Sequence, residues 1–236
     1  MIKQFNFQTW DNAKYNEYIF YLKSLKDEQL EKFNKKIIPT KYKILGIKMS
    51  ILKDIAKEIS KTDIKTFFDN NLRVYFEEVM ILGFVVGNLR REEEFLNYFY
   101  KFLPYIDNWA ICDSFVSNAK ILKNISFFNK ACNLMLSTNE FIRRVGIVIL
   151  LDYYIDTNNI DSCINTIKNL KDDSFYVNMA ISWLISLSFI RFRSKTLTLL
   201  KSKALPVFVQ NKAISKIRDS YRVTEKDKEL VKNLRL

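Results

Sequence analysis

The chain has 236 residues, 48% of them hydrophobic and 14% aromatic, and carries a net charge of +12. Only 4 Gly and 3 Pro occur, where average usage would supply roughly 28 such residues, so hairpin-rich sheets and Gly-rich phosphate loops are excluded. The complete lack of histidine excludes His-based triads, HExxH helices and zinc sites with His ligands.

Apolar periodicity predicts helices over 10–24, 27–36, 48–59, 63–69, 75–89, 92–102, 108–120, 126–136, 140–154, 159–169, 174–190, 194–202, 206–221 and 225–233. Pro39, Pro104 and Pro206 fall between these segments or in a first turn, where proline is tolerated. Asp107 and Thr224 read as start signals for the helices that follow them. Apolar segments beginning at Glu77, Trp109, Phe141, Tyr176 and Val209 recur at separations of 32, 32, 35 and 33 residues. That interval suits a helix pair in a helical repeat array. The expected architecture is therefore all-α: one domain over 1–236, a right-handed solenoid of antiparallel helix pairs (an α-α superhelix). The helices starting at the five repeated positions are expected to line one concave side.

The positive charge is uneven. Residues 141–236 hold 17 basic and 9 acidic side chains, and the stretch from Arg191 to Arg218 has eight basic residues with no acid before Asp219. Such a field attracts polyanions in a salt-dependent way; a Lys-rich composition that only solvates helices fits the same count. Lys212 and Lys216, one turn apart, and Arg218 are the expected phosphate contacts. Cys112, Cys132 and Cys163 form no CxxC pair and read as reduced thiols. The first ten residues lack a signal-peptide core, and the longest weakly polar run, 179–190, is too short to span a bilayer. A soluble, cytoplasmic monomer without membrane, metal or cofactor is expected.

Without His, any chemistry must rest on carboxylates, Tyr, Lys, Ser or Cys. Trp109 and Asp113 are four residues apart, hence on one helical face. Arg143 and Arg144 lie one repeat later, and Trp183 another repeat on. Aromatic faces attract cations, a carboxylate stabilises developing positive charge, and arginines hold phosphates. Spacing alone fits a structural use equally: both tryptophans as core residues, and Asp113 paired with Arg144 to join two repeats.

The segment Tyr-Ile-Asp-Asn-Trp-Ala-Ile-Cys-Asp-Ser-Phe (105–115) resembles the conserved helix of the bacterial DNA alkylation repair family, the AlkD-like alkylpurine DNA glycosylases built from HEAT-like repeats. Phe-Ile-Arg-Arg (141–144) is similar to that family's arginine-bearing helix, and Phe-Tyr-Val-Asn-Met-Ala-Ile-Ser-Trp (175–183) to its second tryptophan helix. Leu45-Gly46-Ile47 is similar to its opening, so the resemblance runs from about residue 10 to Tyr221. It implies a monofunctional glycosylase that excises positively charged N3- and N7-alkylated purines from duplex DNA without burying the flipped base. Trp109, Asp113 and Trp183 would then serve catalysis, with Arg144 and Arg143 holding DNA. The alternative is a non-catalytic HEAT-like scaffold that binds DNA structures or a protein.

Overall fold

The computed structural model describes residues 3–5 and 7–236. Among them it contains fourteen α-helices and no strand, only one isolated bridge between Lys43 and Tyr75. All fourteen helices coincide with the predicted segments to within a few residues. Short 3-10 turns at Leu103–Tyr105 and Lys120–Lys123 were not expected. The chain divides into two compact units, Met1–Ile121 and Leu122–Leu236.

The first unit contains α1 (Asn12–Ser24), α2 (Glu28–Ile37), α3 (Met49–Ile59), α4 (Ile64–Asn70), α5 (Phe76–Gly87), α6 (Glu92–Phe102) and α7 (Trp109–Asn118). The second contains α8 (Ser126–Leu134), α9 (Glu140–Tyr153), α10 (Ile160–Asn169), α11 (Phe175–Arg191), α12 (Arg193–Lys201), α13 (Val207–Arg218) and α14 (Glu225–Lys232). In each unit the main packing runs through alternate helices: α3 on α5 on α7, and α9 on α11 on α13. This is the packing of a helical repeat protein. The five repeated apolar segments are α5, α7, α9, α11 and α13, so the interval read from the sequence selects the packed series. α3 extends it by one member that the interval had not included.

Burial explains the division of labour. Every residue of α5 is enclosed, as is α9 from Arg144 to Leu151. Helices apolar all round must be covered on all sides. α2 buries nothing and α14 only Val231, so these amphipathic or polar helices form covers. Side-chain caps define several starts: Asp27 accepts from the amides of Gln29 and Leu30, Asn139 from Phe141 and Ile142, and Thr224 from Asp227. α7 departs from expectation. Its cap is Asn108, which accepts from Ile111 N at 3.0 Å, while Asp107 accepts from Thr40 Oγ1 at 2.9 Å and Lys41 N at 2.8 Å.

Two carboxylates at the head of α5 organise the first unit. Glu77 accepts from the amides of Leu45 at 3.0 Å and Gly46 at 2.7 Å. Gly46 holds φ +81° and a Cβ there would lie 2.4 Å from Asp27 O, so only glycine fits this approach. Glu78 accepts from Tyr75 N at 2.7 Å and Val74 N at 2.9 Å, and from the Tyr15 hydroxyl. Burial pushes the Glu78 carboxyl up to about 7, against those backbone donors. The folded chain therefore keeps a proton there that the unfolded chain releases near pH 4.5. The resulting stability is complete below that pH and is lost as pH rises to about 7. Equilibrium unfolding across this window is expected to show a decline of about 3 kcal/mol from this group, and Glu78→Gln is expected to flatten it.

Candidate nucleic-acid interface

In the first unit, α7 buries Ala110, Ile111, Cys112, Phe115 and Val116. Trp109 and Asp113, one turn apart, remain partly open to solvent on the other face. Trp109 Nε1 donates to Ile37 O at 3.2 Å, so the ring is tied to the end of α2. The segment after α2 is fixed in turn through Asp107 and through Tyr42, whose hydroxyl donates to Tyr105 O at 2.9 Å. The third tryptophan, Trp10, is a core residue whose Nε1 donates to Thr62 Oγ1 at 2.7 Å. The core role weighed for Trp109 and Trp183 does not fit the exposed Trp183, and Trp109 is partly open.

In the second unit the two neighbouring arginines have different fates. Arg143 uses all five N–H donors inside the protein. Its Nε meets Asp172 Oδ2 at 2.5 Å and its Nη1 reaches Ser137 O and Thr138 O, both at 2.9 Å. Its Nη2 donates to Asp172 Oδ1 at 3.3 Å and to Ser174 Oγ at 2.6 Å. Burial raises the Asp172 carboxyl, but the hydrogen bonds from Arg143 and Ser174 outweigh this and hold it below its ordinary range. In this arrangement Arg143 has no N–H left for a phosphate, and it clamps the start of α9 to that of α11. Arg144 is 5% exposed and donates from Nη1 to Tyr176 O at 2.6 Å.

Trp183 stands out from α11 at 38% exposure. With Ser186, Leu187, Ile190 and Lys216 it borders an open groove of about 300 Å³ that Asp219, Ser220 and Arg222 complete. Burial pushes the Lys216 ammonium below its ordinary value, and the charges of Lys212 and Arg144 push the same way, against Asp219. Lys212 and Arg144 therefore each stand close enough to Lys216 for their charges to act on it. Arg218, half-buried at the end of α13, is not part of the groove lining, and its Nε is enclosed without a hydrogen-bond partner.

Three more residues of the basic stretch are spent within the protein. Arg193 pairs with Asp227 through Nε at 2.9 Å and Nη2 at 2.6 Å, Lys195 with Asp161 at 2.6 Å, and Arg191 Nη1 donates to Ile155 O at 3.1 Å. Sequence reasoning missed Arg222, which lies beyond the last periodic apolar residue of α13 and so carries no helical signal. No group of three or more His, Cys, Asp or Glu side chains suited to a metal ion occurs among the described residues, and no helix there is long and apolar enough to cross a membrane.

These features define a helical repeat protein with a cationic, tryptophan-edged surface in its second unit. The sequence pattern of the DNA alkylation repair enzyme family matches residues 20–217, through both units, and the chain belongs to that family. Its role is accordingly in DNA repair. Neither a comparison with curated proteins nor one with solved structures finds a match.

The two arginines are separable by experiment. Arg143→Ala, which leaves the enclosed Asp172 without its partner, is expected to cost about 3 kcal/mol in denaturant unfolding. Duplex affinity and its salt dependence, measured on the folded protein, should stay unchanged.

Proposed function

We propose that the chain is a DNA glycosylase that releases cationic N3- and N7-alkylated purines from duplex DNA by hydrolysis. What carries this reading is the open face of α7: a chain of the DNA alkylation repair enzyme family keeps a tryptophan and a carboxylate one turn apart there, on a helix otherwise packed into the core. Alkylation has already placed a positive charge on the base, so the C1′–N bond can break with its electron pair moving to the purine, which leaves neutral. No general acid is needed. Asp113 stabilises the oxocarbenium-like sugar and orients a water that adds to C1′, and the proton lost from that water passes through the carboxylate to solvent. The products are a free base and an abasic site. The ring faces of Trp109 and Trp183 favour cationic groups. Arg144, Lys212, Lys216 and Arg218 serve as phosphate contacts, a reading supported by the charges of Lys212 and Arg144 acting on Lys216.

The test is abasic-site formation on a duplex containing 7-methylguanine. Asp113→Asn is expected to lower base release about 10²- to 10³-fold while duplex affinity holds or rises, because a carboxylate near phosphates repels them. A variant that loses melting temperature and retains activity in proportion to its folded fraction would assign Asp113 a structural role. Wild-type protein that binds duplex but releases no base would favour the non-catalytic scaffold. Separately, Lys212→Ala with Lys216→Ala should flatten the slope of log affinity against log salt by about 2, equally for all sequences.

A further inference from the structure

Four aromatic rings join the starts of α9, α11 and α13 into one ridge in the second unit. Phe141 and Tyr176 have centroids 5.3 Å apart, Tyr176 and Phe175 5.2 Å, and Phe175 and Phe208 6.0 Å. Phe175 is 55% and Phe208 44% exposed, and the first two rings are partly open. Rings of this size left in water across three alternate helices are an unusual use of apolar surface. They are also contiguous with the cations. Phe208, Lys212 and Lys216 fall at four-residue steps along α13, Arg144 follows Phe141 by one turn on α9, and its Nη1 bonds the carbonyl of Tyr176 itself. Glu140 accepts from Tyr176 N at 3.0 Å, and Asp172, just before α11, is paired with Arg143.

We propose that the ridge Phe141–Tyr176–Phe175–Phe208 is a stacking platform for unpaired DNA bases, with the adjoining Lys212 and Lys216 holding the phosphates of the same strand. The inference rests on the reading that this chain acts on DNA, and extends it to nucleotides outside the duplex stack. Two features favour a nucleic acid over a protein as the occupant. A protein surface would find the cationic flank costly to cover, whereas a strand offers a phosphate for each charge and a flat π-face for each ring. The row of rings also spans more than one base, so it suits successive nucleotides and not a single pocketed one.

The experiment compares a fluorescently labelled twelve-nucleotide oligothymidylate with a twelve-base-pair duplex at one fixed salt concentration. Phe175→Ala with Phe208→Ala is expected to weaken single-strand binding by about 10- to 100-fold and duplex binding by less than about 3-fold. Phe175→Tyr with Phe208→Tyr should restore the single-strand affinity, because the π-face returns. Both rings are substantially exposed, so melting temperature should hold. Unchanged single-strand affinity in the alanine variant overturns the proposal, as does an equal loss on single strand and duplex. Altered self-association in sedimentation, with oligonucleotide binding intact, would also overturn it and assign the ridge to protein contact. Base release on the 7-methylguanine duplex is read separately: its failure in the wild type would remove the glycosylase reading and leave the ridge standing on its own binding data.

Discussion

The enclosure of the alternate helices governs everything else in this molecule. α5 is buried at every position and α9 over two full turns, so their backbones are sealed and any polar side chain they carry must be satisfied locally. The first unit meets this demand with Glu77 and Glu78, which take up the amides of residues 45–46 and 74–75. The second meets it with Arg144, which bonds the Tyr176 carbonyl. These groups lie within the first five residues of their helices, close to backbone donors and acceptors of neighbouring segments. Chemistry in such a scaffold is confined to first turns and to the one stripe that a helix leaves uncovered.

That confinement made much of the fold legible. With few glycines and prolines to punctuate the chain, apolar periodicity marked the fourteen helices, and the spacing of the all-apolar segments marked those that pack on each other. Local cap chemistry was harder to read. Asp107 and Asn108 are both good caps, and Thr40 and the Lys41 amide, far away in sequence, draw Asp107 off. α3 escaped the repeat because it begins at Met49, 27 residues before α5 begins at Phe76, short of the 32- to 35-residue spacing of the other segments.

The basic stretch shows where linear counting fails. No acid lies between Arg191 and Arg218, yet Arg193 and Lys195 are each neutralised by an aspartate 34 residues away. That distance is close to the repeat interval itself. A repeat brings side chains one period apart into contact, so charge must be balanced across periods and not along the chain. The same logic separates Arg143 from Arg144. Consecutive helical residues point about 100° apart, so one faces Asp172 and the other the neighbouring helix start. Identity and spacing alone could not choose between them.

The uncovered stripe also matters for the proposed reaction. Stabilising a sugar cation needs a carboxylate that the substrate can reach, which the enclosed Glu78, in the same unit, is not. Asp113 lies on the partly open face of α7, beside a tryptophan anchored by its Nε1 to the end of α2. A substrate that arrives already charged asks for no proton donor, so the absence of histidine from the chain costs this chemistry nothing. What it asks for is negative charge and aromatic surface held in place before it arrives, and a rigid helix packed along one whole side into the core can hold both.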